Sequence, residues 1–243
     1  MLPKYTLDKI KFGTDAPIFE KAVALYENGK VTQFKEELNG FFAVVLGTHP
    51  YNVYVEKSHY DRGDCDCYLG QNETLCKHMV AVAIYAVMDG KKLSNVDKQT
   101  IGGPVCNGKL GELSKSELSN VKKEISGTMK YIKSYVGPSK TWFAYQNSLS
   151  EGCARLSKII SELPVGEKTS KLLVDLLLRL DEKLCRGGVD DSDGVLGGFI
   201  DETVIVLQEF AKLCPDCKNT FVALRNRETC FGWEESLVKL IED

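Results

Sequence analysis

The segment Cys65-Asp66-Cys67, followed after eight intervening residues by Cys76-Lys77-His78, constrains this chain more than any other. Three thiols and one imidazole packed so closely along the sequence are the Cys₃His donor set of a structural zinc site. In an extended segment residues i and i+2 point to the same side, so Cys65 and Cys67 face one ion. In a helix those positions lie about 200° apart, so Cys76 and His78 converge only if Cys76 precedes a helix and His78 sits in its first turn. The amphipathic run Met79–Val87 begins where that geometry requires. Zinc with three thiolates and a neutral imidazole carries about −1, which a helix N-terminus favours, and Lys77 adds a screened contribution. The polar, turn-rich stretch Tyr68–Leu75 is long enough to close round the ion. One structural Zn²⁺ is expected. Four protein donors leave no open position for water or substrate, which speaks against zinc catalysis.

The other cysteines sharpen this reading. There are 9 in 243 residues, an odd count, and the N-terminal MLPKYTLDKIKFG has no apolar core followed by a cleavage site. A secreted disulfide scaffold is therefore not expected, and the chain reads as cytoplasmic. The longest apolar run, Met79–Met88, is far short of the roughly 20 residues that span a bilayer, so no membrane partner is expected. Hydrophobic residues at 43% and a net charge of −3 describe a globular chain that does not bind polyanions through bulk charge.

The pattern of elements divides in two. Phe19, Ala22, Val23 and Tyr26 sit at helical spacing over Ala16–Asn28, closed by Gly29. Strands are expected over Val31–Leu38 and Phe41–Leu46 around a two-residue Asn39-Gly40 turn, and a third over Tyr51–Val55. A helix is expected over Leu75–Met88. Residues 1–105 thus read as an α+β zinc-binding domain: helix, β-hairpin or three-stranded sheet, helix. Breakers cluster between Ser94 and Gly111, and residues 106–243 read as an all-α bundle or short helical solenoid. Its expected helices are Ser114–Tyr135, Lys140–Leu163, Lys168–Cys185, Leu196–Leu213, a short one after Pro215, and Glu234–Ile241. Apolar stripes run through Leu172, Leu173, Leu176, Leu177 and Leu180, and through Val204, Ile205, Leu207, Phe210, Ala211 and Leu213.

C-x-C, a short loop and C-x-H opening an apolar helix, preceded by a helix (FEKAVALYENGKV from Phe19 to Val31) and a strand hairpin, resembles the SWIM-type zinc finger family. The resemblance covers roughly residues 15–90. It implies that Cys65, Cys67, Cys76 and His78 bind zinc, that a hairpin and helix form the core, and that the role is DNA or protein binding rather than catalysis. The C-terminal half resembles, more weakly, the helical extensions of bacterial SWIM proteins, on Asp190–Gly194 and Phe231-Gly232-Trp233. That likeness implies no activity.

Other motifs carry less. Cys214-Pro215-Asp216-Cys217 has the C-x-x-C form of a redox or metal site, but its surroundings read as helical rather than βαβ. Cys106, Cys153, Cys185, Cys214, Cys217 and Cys230 are expected to pack as thiols, although Cys185 and Cys230 could approach the C-x-x-C pair. Setting Gly194 at position 6 of a calcium loop leaves Val189 and Ile200 where carboxylates are needed, so Asp190–Asp193 reads as a helix cap. His49 and His59 belong to no catalytic arrangement. No phosphate loop or dinucleotide fingerprint occurs, and neither an enzyme nor a small-molecule substrate is expected.

Charge is more informative locally. Between Lys109 and Lys140 seven lysines face three glutamates, while Asp181–Glu209 holds eight acidic residues and two basic ones. Lys115, Lys122, Lys123, Lys130 and Lys133, with Tyr131, Tyr135, Trp142, Phe143 and Tyr145 nearby, are candidates for nucleic-acid contact. The expected function is a non-catalytic DNA-binding or protein-interaction module. The alternative is a protein–protein scaffold gripping its partner with the helical half, with zinc purely structural.

Overall fold

The computed structural model describes residues 2–100, 102–138 and 142–242, with the side chain of Phe143 left aside. By its contacts the chain forms two compact units, Met1–Thr100 and Ile101–Asp243.

The first unit is α+β. Helices α1 (Leu7–Phe12) and α2 (Ala16–Glu27) precede an antiparallel meander of four strands: β1 (Val31–Glu36), β2 (Gly40–Leu46), β3 (Pro50–Glu56) and β4 (Gly63–Cys65). A one-turn helix α3 (Tyr68–Gln71), then α4 (Lys77–Met88) and α5 (Asn95–Lys98), complete it. Alternation places Phe41, Ala43, Val45, Val53 and Val55 inside, where α4 packs on the sheet and in turn against α2, whose Phe19, Val23 and Tyr26 join the same core. The sheet has one strand more than the spacing of apolar residues indicates, because β4 is only three residues long and its sequence, Gly-Asp-Cys, carries no strand pattern.

The tip of the hairpin is Leu38-Asn39 rather than Asn39-Gly40. Glu36 pairs with Phe41, Glu37 N–H donates to the Gly40 carbonyl at 2.9 Å, and neither Asn39 nor Gly40 takes a positive φ. A bulge near Gln33, at φ 51°, bends β1 instead. Glycine at position 40 serves a different purpose: a Cβ there would lie 2.4 Å from the Tyr54 ring. Helix α4 also departs from expectation, since His78 through Ile84 are all buried. It is no amphipathic surface helix, because α1, α2 and the sheet surround it.

The second unit is all α: α6 (Lys115–Thr128), α7 (Trp142–Glu162), α8 (Glu167–Cys185), α9 (Val195–Leu213), a 3₁₀ helix (Pro215–Leu224) and α10 (Glu235–Lys239). Lys140, the expected start of the second of these helices, lies outside the described residues. Helix α9 touches α7, α8, the 3₁₀ helix and α10, which makes a bundle rather than a repeating stack. Both apolar stripes enter one core, except that Ile205 and Leu213 are 55% and 47% exposed. Helix α6 begins as expected, with Ser114 and Glu117 forming a capping box. It ends at Thr128 rather than Tyr135. Beyond it Met129 and Ile132 turn into the core, and Ile132 packs where α7 leaves room at Gly152. The acidic loop behaves as a cap: both carboxylate oxygens of Asp191 accept N–H bonds of 2.8 Å from Leu196 and Gly197 in the first turn of α9.

Candidate metal centre

Cys65, Cys67, Cys76 and His78 are all buried, and one donor atom from each lies within 4.8 Å of every other. Each ligand is delivered by an element boundary. Cys65 ends β4 and pairs with Val53, while Cys67, two residues on and still extended, is the N-cap of α3. Asp66 between them turns outward, where Oδ2 accepts both the backbone and side-chain N–H of Asn52 at 3.0 Å and pins the pair to β3. Cys76 is the N-cap of α4 at φ −118°, ψ 161°, and His78 follows in the first turn. The imidazole Nδ1 lies 3.7 Å from Cys65 Sγ and 3.9 Å from Cys76 Sγ.

The charges in this cluster call for a cation. The Cys65 thiol is pushed up by its hydrogen bond with Cys76 and by burial, while Cys76 is pulled down chiefly by the Cys65 S–H, then by His78 and the Met79 N–H. One negative charge is therefore held easily, and a second beside it is not. A dication removes that opposition, so the donor set fits zinc by charge as well as by type. The Gly70 N–H donates to Cys67 Sγ at 3.4 Å and orients it. Zinc would be held by Cys65, Cys67, Cys76 and His78 and would cross-link the end of β4 to the start of α4.

Residues 51–86 match the SWIM zinc finger family.

No curated protein and no solved structure matches the chain. The matched segment runs from β3 through most of α4, so it contains all four ligands of the SWIM finger and the elements that present them.

Two residues of the finger carry no recognisable signal in the sequence. The Tyr51 ring stacks on His78, with centroids 4.2 Å apart and planes at 22°, and so fixes the ligand's ring plane. Its position reads only as one more strand residue. Gly70 lies over the C-x-C step so tightly that a Cβ would meet the Cys65 carbonyl oxygen at 2.2 Å and the Cys65 Cβ at 2.6 Å. It reads as an ordinary loop glycine. The imidazole Nε2 of His78 is buried without a hydrogen-bond partner among the described residues.

The candidate nucleic-acid lysines are all exposed, but the structure does not bring all five together. Lys115, Lys122 and Lys123 line one shallow groove of about 480 Å³ along α6. Lys130 and Lys133 lie past the end of that helix, and Lys130 sits over the Tyr131 ring, 5.1 Å from its centroid. The neighbouring aromatics are engaged inside the unit. Trp142 donates to Asp190 at 3.1 Å, the Tyr145 hydroxyl to the Lys133 carbonyl at 2.9 Å, and the Tyr135 hydroxyl to the Pro138 carbonyl at 2.7 Å. Among the described residues, Trp142, Tyr135 and Tyr145 are thus hydrogen-bonded within the unit, while Tyr131 lies beneath Lys130.

The remaining cysteines divide further than expected. Cys185 and Cys230, read above as thiols, are joined by a disulfide with their Cα atoms 5.8 Å apart. In the C-x-x-C motif Cys214 is half-buried and Cys217 fully buried, its thiol pushed up to about 12 by burial and by the Cys214 thiol. No further Cys or His joins that pair in a metal-ready cluster among the described residues.

Proposed function

We propose that this chain is a non-catalytic nucleic-acid-binding protein of the cytoplasm, in which the zinc finger holds the first unit in shape and α6 supplies phosphate contacts. One observation carries the reading. On a helical wheel Lys115, Lys122 and Lys123 fall within about 100° of arc, while Glu117 and Glu124 fall on the opposite side. A helix whose lysines are merely solvated tends to pair them with glutamates three or four residues away. Among the described residues none of these three lysines is within ion-pair distance of a carboxylate. With Trp142, Tyr135 and Tyr145 hydrogen-bonded within the unit, backbone phosphate is the better-suited target than single-stranded bases. No helix among the described residues is long and apolar enough to cross a membrane, which agrees with a partner met in solution.

Titration of labelled duplex DNA at several salt concentrations tests the reading. Binding should be measurable at low salt and weaken steeply as salt rises, and Lys115→Ala, Lys122→Ala and Lys123→Ala should each reduce the salt slope by about one. Absence of binding at 50 mM salt, or an unchanged slope in the triple variant, would sink it. A protein partner is the second reading, favoured by Tyr68 and Leu69, which are 80% and 40% exposed beside the zinc ligand Cys67. That alternative is expected to yield a complex of fixed stoichiometry that nuclease leaves intact and Tyr68→Ala disrupts.

A further inference from the structure

The disulfide between Cys185 and Cys230 lies on the surface, both residues exposed, and ties the last residue of α8 to the loop before α10. Cys185 forms part of the wall of a cleft of about 470 Å³, whose rim carries Arg179, Arg186 and Arg227 together with Glu182 and Glu228. Among the described residues none of these three arginines has a carboxylate within ion-pair distance. Asp181, also in the cleft, is already engaged: its Oδ1 accepts the Cys230 N–H at 2.8 Å and the Trp233 indole N–H at 3.0 Å. A scissile sulfur, two guanidinium groups without a hydrogen-bond partner among the described residues (Arg179 and Arg186), a third whose Nε alone donates to the Ala223 carbonyl at 3.0 Å (Arg227), and two carboxylates thus line a hollow of small-molecule size.

We infer that this cleft is a thiol–disulfide exchange site for a low-molecular-weight amino-acid or peptide thiol, its carboxylates held by the arginines and its ammonium by Glu182 or Glu228. The incoming thiolate attacks Cys185 Sγ, the sulfur that the cleft presents. The Cys185–Cys230 bond breaks as the new sulfur–sulfur bond forms, and Cys230 leaves as a thiolate that takes a proton from solvent. A second molecule of the small thiol attacks the small-molecule sulfur of that mixed disulfide, and Cys185 leaves and is protonated in turn. Two small thiols are oxidised to their disulfide and one protein disulfide is reduced to two thiols. The same steps reversed use the small disulfide as oxidant. Bidentate guanidinium–carboxylate pairing makes the site selective for carboxylate-bearing thiols over neutral ones.

The full chain, oxidised in air, is treated with glutathione or with 2-mercaptoethanol, quenched in acid and mapped by mass spectrometry. The mixed disulfide should form at Cys185, and glutathione should react faster than its thiolate content alone dictates. The double variant R179S/R227S should slow glutathione by about tenfold and leave 2-mercaptoethanol unchanged. A second pair of variants avoids dependence on the arginines: C230S should take up glutathione from its disulfide at Cys185, and C185S should not. Modification at Cys230 in the native chain, equal slowing of both thiols, or free alkylation of both cysteines in the oxidised protein would each overturn the proposal.

Discussion

The two units are closed by cross-links of opposite character. In the first, four ligands lie at the centre of a core, with Cys76 and His78 only 1% and 3% exposed. In the second, the core is complete without a covalent tie, and the Cys185–Cys230 bridge sits outside it. The contrast shows what each tie is for. A buried metal joins elements too short to hold themselves, a three-residue strand and a one-turn helix. A surface bridge trims the freedom of a loop and is open to chemistry from solvent. The first unit should therefore depend on its ion for folding, whereas the second should depend on side-chain packing.

The largest effect expected is from the ion. Structural zinc contributes on the order of 10 kcal/mol, about the whole stability of a domain. Chelation, or Cys76→Ser, should abolish the melting transition of the first unit while the helical signal of the second persists in circular dichroism. A chelated protein with both transitions intact would erase the contrast.

Next comes the packed core of the second unit. Leu173→Ala, at a side chain with no exposure, should lower stability by about 3 kcal/mol. Denaturant titration would register the loss, and bound zinc, measured by colorimetric release, should remain at one ion per chain.

Gly70→Ala tests how closely the finger is built. The added methyl has to displace the Cys65 carbonyl, and overpacking of that kind costs about 2 kcal/mol. The first unit should melt earlier and give up zinc to a competing chelator sooner, whereas Gly127→Ala, which meets nothing within 4 Å, should do neither.

The smallest effect expected is at the cap of α9. Asp191→Ala removes two N–H acceptors and should cost about 1 kcal/mol in the second unit alone. Asn at that position should recover part of the loss.

Legibility in the sequence follows the range of the interaction. The ligands of the finger, the start of α4 and the cap within Asp190–Asp193 depend on residues a few positions apart, so spacing alone exposes them. The helices of the second unit were legible from their stripes, since Leu172 to Leu180 repeat at helical period. What escaped depends on partners distant in sequence. Tyr51 meets His78 across the finger, Cys230 meets Cys185 over a separation of 45 residues, and Gly40 is shaped by Tyr54. The early end of α6 belongs to the same class. Local propensity permits helix through Tyr135, but burial of Ile132 against α7 draws the chain away. Exposure of Ile205 and Leu213 was hidden for the converse reason, because periodicity identifies a stripe without saying how wide its cover is.

Helix α4 carries a consequence for how the first unit chooses one arrangement among many. A run buried on every side from His78 to Ile84 has no polar face to orient it. Turned about its own axis, or slid by one residue, it would still present valine, alanine and isoleucine to its neighbours. Two ligands at its first turn remove that degeneracy, since only one rotation and one depth bring Cys76 and His78 to the sulfurs of Cys65 and Cys67. The ion then acts as an alignment pin. Apolar identities along α4 are free to drift at constant volume, while the two residues that set its phase are not.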